Sequence, residues 1–137
     1  MGNGVFTIEM YREGNYYRYD FYLVVNGIES YGEETVVIPT ENGGRKVTHV
    51  GYYGTTERLE PDWSDYHHMK SNNDIELYHL CEKTVNVSPN VKKIVIPAGI
   101  THISSIAFRD RPDLIFEVDQ ANPVYAASED GQLIKKS

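Results

Sequence analysis

The stretch Ile94-Val-Ile-Pro97-Ala-Gly-Ile100-Thr-His-Ile103-Ser-Ser-Ile-Ala107-Phe108 admits few folds. Its apolar positions, 94, 96, 100, 103 and 108, fit neither an uninterrupted strand nor the roughly 3.6-residue period of a helix. They fit a chain that turns every few residues and returns an apolar side chain to one interior each time. The pattern recurs. Val36-Val-Ile38-Pro39 leads to Val47-Thr-His-Val50 across a longer turn, Thr40-Glu-Asn-Gly-Gly-Arg-Lys46. Val85-Asn-Val87 with Val91-Lys-Lys-Ile94 repeats the spacing just upstream. A short repeat cannot bury its apolar face alone and needs neighbours stacked on it, so the expected fold is a mainly β, short solenoid.

The flanks read as hairpins. Phe6, Ile8 and Met10 alternate on one face, Glu13-Gly14-Asn15 supplies a turn, and Tyr17, Tyr19, Phe21, Leu23 and Val25 alternate again. Asn26-Gly27 is expected to turn the chain once more before the first repeat. At the other end, Asp130-Gly131 between Tyr125-Ala-Ala and Gln132-Leu-Ile134 predicts a second hairpin. Such hairpins would cap the open ends of a stack. Residues 52–83 interrupt the repeat, being too long for an ordinary connection. Within them Ser71-Asn-Asn-Asp74 resembles an N-cap and predicts a short helix through Ile75, Leu77 and Leu80, so at most one or two short helices are expected. The expected organisation is one domain over 1–137: an N-terminal hairpin cap (1–33), a repeat solenoid (34–118) with an irregular insertion at about 52–83, and a C-terminal hairpin cap (119–137).

Charge narrows the partners. The chain carries 20 acidic against 13 basic residues, for a net charge of −7, and basic pairs such as Lys92-Lys93 and Lys135-Lys136 are scattered along it. A nucleic-acid partner calls for a basic stripe, so none is expected. No apolar run is long enough to span a bilayer, so membrane insertion is not expected either. The N-terminus lacks the pattern of a secretory signal. Eleven Tyr against four Phe and one Trp suits strands with one wet face, where the ring packs and the hydroxyl stays solvated. The lone Cys81 excludes an internal disulfide and is expected to act as a small buried hydrophobe.

The residues with chemical capacity are few. His67, His68, His79 and Cys81 form the one metal-capable cluster in the sequence, yet adjacent histidines point apart and the spacing builds no closed tetrahedral site. Solvated loop histidines are the default, and no metal or cofactor is implied. His49 and His102 occupy matching places in Val-Thr-His-Val and Ile-Thr-His-Ile. Their aliphatic neighbours point inward, so both imidazoles are expected outward, at a tolerated exterior position rather than as a catalytic pair. Asp62, Asp65, Asp110 and Asp113 sit beside Pro in turn-like segments, where Asp is at home. Arg111 stands in the same polar turn. There is no Gly-x-Ser-x-Gly elbow and no phosphate-cradling Gly loop. The binding residues expected from sequence are Trp63, Tyr52, Tyr53, Tyr66 and His67, aromatic and imidazole side chains on a segment held by a rigid scaffold.

Taken together, Val91-x-x-Ile94-x-Ile96-Pro97-x-x-Ile100-x-x-Ile103, the Ala107-Phe108 plug, Leu114, and the tail Asn122-Pro123-Val-Tyr125 with Asp130-Gly131-Gln-Leu133 resemble the BspA-like, Treponema-type leucine-rich repeat family. Ile38-Pro39 through Gly51 is similar to that family's first repeat, while residues 52–83 carry no likeness. Arg111 stands where the family often has Cys, and only about two coils are recognisable, so the match is to a short or degenerate member. The resemblance implies a leucine-rich-repeat solenoid on a bacterial surface or secreted protein. It implies a non-enzymatic module that binds a protein or glycan and has no catalytic residue to carry over. Two rivals stand beside it: a small metal protein or hydrolase centred on the 52–83 insertion, and a structural spacer within a longer surface protein.

Overall fold

A computed structural model of the chain describes residues 4–58 and 76–136. Among them are thirteen strands and no helix: β1 (Val5–Asn15), β2 (Arg18–Glu29), β3 (Thr35–Val37), β4 (Glu41–Asn42), β5 (Arg45–Val50), β6 (Tyr52–Arg58), β7 (Glu76–Glu82), β8 (Asn86–Val87), β9 (Lys93–Ile96), β10 (His102–Ile103), β11 (Ile115–Val118), β12 (Tyr125–Ala127) and β13 (Leu133–Lys135). The protein is mainly β, its sheets mix parallel and antiparallel pairs, and they do not close into a barrel. No helix among the described residues is long and apolar enough to cross a membrane.

The short strands carrying the repeated pattern pair in parallel. β3, β9 and β11 form one sheet in the order β11-β9-β3, with Val36, Ile94 and Phe116 in register. In the larger sheet β5 lies between β2 and β10, setting Val50 opposite Val25 on one side and Ile103 on the other. Val36, Ile38, Val91, Ile94, Ile96 and Ile100 are completely buried between the two ladders. Each such side chain contributes about 1.5–3 kcal/mol by leaving water. Phe108 is half-buried at the edge of this core, its ring 5.0 Å from that of Phe116.

Two polar devices hold the turns. Asn122, fully buried, donates from Nδ2 to the carbonyls of Pro97 and Ile100 and accepts at Oδ1 from the amides of Val124 and Tyr125. The Tyr125 hydroxyl then accepts from the Ile103 amide at 2.7 Å, covering the outer edge of β10. Arg111 reaches back across the preceding turn. Its guanidinium donates to the carbonyls of Ser88 at 2.9 Å and Val91 at 2.6 Å while Asp113 holds the same fork.

Several expectations are corrected. Asn26-Gly27 does not turn the chain; Thr7 pairs with Gly27 and Ile8 with Val25, so Asn26 is absorbed as a bulge within β2. The hairpin turns later than expected, at Tyr16-Tyr17 beyond Glu13-Gly14-Asn15. Met10, Tyr17, Tyr19 and Phe21 are exposed although the alternation sets them on the same faces as Ile8, Leu23 and Val25, because both strands run past the core. The helix expected through Ile75, Leu77 and Leu80 is, from Glu76 on, strand β7, paired antiparallel with β6 from Tyr52 opposite Glu82 to Arg58 opposite Glu76. Its cap at Ser71–Asp74 lies outside the described residues. A strand wins because a complete ladder partner is present, and tertiary pairing overrides local propensity. Cys81 is half-buried on β7 rather than enclosed, with the Thr55 hydroxyl 3.8 Å from its sulfur.

Gly51 is where the chain leaves the parallel ladder of β5, and the base of the β6–β7 pair closes at one point, with the Lys83 amide donating to the Gly51 carbonyl at 2.8 Å. Gly51 has φ 84°, and a Cβ there would lie 2.8 Å from Ala107, Ser104 and the Lys83 carbonyl.

Candidate functional site

The Thr-His dipeptide explains the site. Leu23 pairs with Val47 but Val24 pairs with His49, so Thr48 is an extra residue in β5. That irregularity lets Val47 and Val50, three positions apart, both face the core while His49 faces away from it. In β10 the same dipeptide puts His102 directly opposite His49. The two imidazoles stack with centroids 4.3 Å apart and planes 3° from parallel. Each ring is oriented by the hydroxyl before it, Thr48 Oγ1 lying 2.7 Å from His49 Nδ1 and Thr101 Oγ1 3.0 Å from His102 Nδ1.

The expectation that both imidazoles are solvated exterior groups fails for His49, which is 3% exposed. Tyr22 lies against its ring at 4.7 Å, and Tyr52 meets it edge-on at 5.6 Å. The excursion that begins at Gly51 supplies Tyr52, and the Tyr52 carbonyl is held by Asn26 Nδ2 at 2.7 Å. Burial first, and the neighbouring His102 second, push the His49 imidazole down to about 4. His102 remains exposed on the outermost strand of its sheet, one face spent on His49.

That strand borders an open cleft of about 550 Å³. Tyr52, Glu82, His102, Ser105, Ile134 and Lys135 contribute to its walls. The Ser105 amide and hydroxyl both donate to Glu82, at 2.7 and 2.9 Å, and those bonds lower the carboxyl below its ordinary range. Burial, then the charges of Tyr125 and Glu82, raise the Tyr52 phenol, so it is a neutral donor at physiological pH. The cleft therefore presents a ring surface, a fixed carboxylate acceptor and ammonium and phenol donors. A groove of about 600 Å³ runs between β11 and the C-terminal hairpin. Its cations are already engaged, Lys93 by Glu117 at 2.8 Å and Lys136 by the carbonyls of Gln120 and Asn122.

Of the residues expected to bind, Tyr52 lines the cleft, and Tyr53 is exposed on the same strand. Trp63, Tyr66 and His67 lie outside the described residues, as does His68. His79 and Cys81 do sit two apart on β7, but His79 pairs with Glu57 at 3.4 Å. Among the described residues no three His, Cys, Asp or Glu side chains converge on a metal-sized space. Sequence reasoning missed Glu82, His102, Ser105 and Lys135. The duplicated Thr-His, read as two rings brought into register by stacking, was the signal that could have found His102. A second exposed aromatic set, Tyr17, Tyr19 and Phe21, lies at the far end of the β1–β2 hairpin, where Arg12 sits 3.9 Å above the Tyr78 ring.

The fold and the cleft define a mainly β protein with parallel ladders and an open, ring-floored surface site. No family model, curated protein or solved structure matches the chain.

Proposed function

We propose that the chain is a short, β-rich solenoid of the BspA-like leucine-rich-repeat kind, closed by a hairpin at each end, and that it serves as a non-catalytic interaction module. Its partner is a protein or glycan met at a bacterial surface or in a secreted setting. In-register stacking of Val36, Ile94 and Phe116, together with the matching His49 and His102, supports the solenoid reading. The observation that carries the binding reading is the cleft beside His102, where Ser105 aligns Glu82 and Thr101 orients the imidazole before any partner arrives. Preorganised groups on a rigid scaffold bind at low entropic cost. The chemistry is shape and hydrogen-bond complementarity, without a nucleophile.

An array of purified glycans and extracellular-matrix proteins, probed with the intact chain, tests this. Saturable binding to at least one, reduced by Tyr52→Ala, is the expected result. Turnover of a substrate, or metal bound near one ion per chain, would instead favour the small metal protein or hydrolase.

A further inference from the structure

The interaction-module reading leaves open what the cleft takes, and the ring stack points to an answer. Tyr22, His49 and His102 form a run of ring contacts across β2, β5 and β10, with His102 on the last strand. One face of His102 is covered by His49, and the residue is otherwise exposed, so the run of rings ends there. His102 lines the cleft.

Around it stand groups of both hydrogen-bonding senses. Glu82 offers carboxylate oxygens already aligned by Ser105, Lys135 offers an ammonium, and Tyr52 a phenol. An isolated cationic guest would meet Lys135 and an isolated anionic one Glu82, so neither charge is favoured. A neutral group with several hydroxyls can use all of them, since each hydroxyl both donates and accepts. The negative face of an aromatic ring attracts weakly positive C–H groups. A planar platform flanked by fixed donors and acceptors has the complementary form of a pyranose, which has an apolar C–H face and a hydroxylated rim.

We propose that the His102 face of the cleft is a subsite for one neutral sugar ring of a glycan, stacked on the imidazole and hydrogen-bonded at its rim by Glu82, with Lys135 and Tyr52 as donors. This rests on the interaction-module reading and deepens it by naming the ligand class. Glu82 and His102 are binding residues in this assignment, and the His49–Thr48 pair only positions the platform.

The test is an NMR titration of the intact protein with the methyl glycosides of glucose, galactose, mannose and N-acetylglucosamine, with N-acetyl-arginine amide as the rival ligand. At least one glycoside should shift the His102 ring proton saturably, with saturation transfer strongest on the C–H groups of one sugar face. His102→Ala and Glu82→Gln should each weaken that binding by about tenfold or more, the scale of one lost ring or charge-assisted contact. Glu82→Gln keeps an acceptor for the Ser105 amide, so the fold has no cause to change. Tyr19→Ala, at the distant hairpin end, should leave binding unaltered. The proposal is overturned if no glycoside shifts His102 up to roughly 50 mM, far weaker than a millimolar site. It is overturned equally if the arginine amide alone binds, or if His102→Ala binds the sugar normally. Array binding without a His102 response would leave the interaction reading standing and remove the sugar subsite.

Discussion

Single side chains in this protein carry turns that backbone pairing leaves open. Asn122 satisfies two carbonyls and two amides from a fully buried position, so Asn122→Ala strands several polar groups at once. Chemical denaturation should show a loss of roughly 2–4 kcal/mol. Tyr125→Phe removes the single hydroxyl that accepts from the Ile103 amide. It should cost about 1–2 kcal/mol, distinguishable from the asparagine variant by a smaller shift in midpoint. Arg111 closes the turn at Val87–Val91 with its own fork, in the place where the resembled family often has Cys. Arg111→Ala should cost roughly 1–3 kcal/mol because the Val91 carbonyl loses its guanidinium donor and the Ser88 carbonyl keeps only the Val91 amide. An unchanged urea midpoint for Arg111→Ala would mean the turn is held by something else. The Asn-Pro-x-Tyr tail was legible as a motif, but its work was not: four hydrogen bonds from one amide depend on which turns come to lie beside it.

Among the elements, the short parallel strands were the most legible, because Ile-Pro after two apolar residues marks a strand that must stop. Ile94, Ile96, Ile100 and Ile103 are buried where the spacing placed them, while Phe108 is half-buried. Phe108→Ala should therefore fall below the roughly 3–5 kcal/mol of a fully enclosed Phe, near 2 kcal/mol. The excursion after Gly51 was the least legible. Its ladder joins residues 52–58 to 76–82, and no local pattern declares a partner so far away in sequence. Leu77 and Leu80 then mimic one helical face, while Asn26-Gly27 mimics a turn because a bulge uses the same residues. Gly51→Ala combines a left-handed φ with a Cβ pressed against Ala107, Ser104 and the Lys83 carbonyl. It should cost roughly 2–4 kcal/mol and loosen the hairpin base, read as faster amide exchange at Lys83.

For the whole molecule, acid sensitivity follows from groups held away from their ordinary titration, His49 and Asp113 furthest of all. His49 is kept neutral down to about 4, facing His102 from β10, Tyr22 from β2 and Tyr52 from β6. As pH falls below about 6.5 the unfolded chain takes up a proton at this residue first, so stability drops between about 6.5 and about 4 and then levels. The loss is on the order of 2 kcal/mol once solvent screening is allowed for. Asp113 has the opposite sense of charge: the hydrogen bond from Arg111 lowers it to about 2, so its contribution is present above 3.8 and fades as pH falls from there. A denaturation series should show His49→Gln flattening the upper window and Asp113→Asn reducing the lower. Neither window was legible in the sequence, where His49 and His102 look like equal exterior residues; only the parallel pairing of β5 with β10 covers one and leaves the other in water. That pairing, with its two stacked rings, is what the fold, the cleft and the proposed sugar subsite all require. Its most direct measure is the titration of His49 followed through its ring protons by NMR. A midpoint near 4, with cross-relaxation between the His49 and His102 rings, is the result the stacked arrangement predicts. A midpoint near 6.5 without ring-to-ring contact would contradict it.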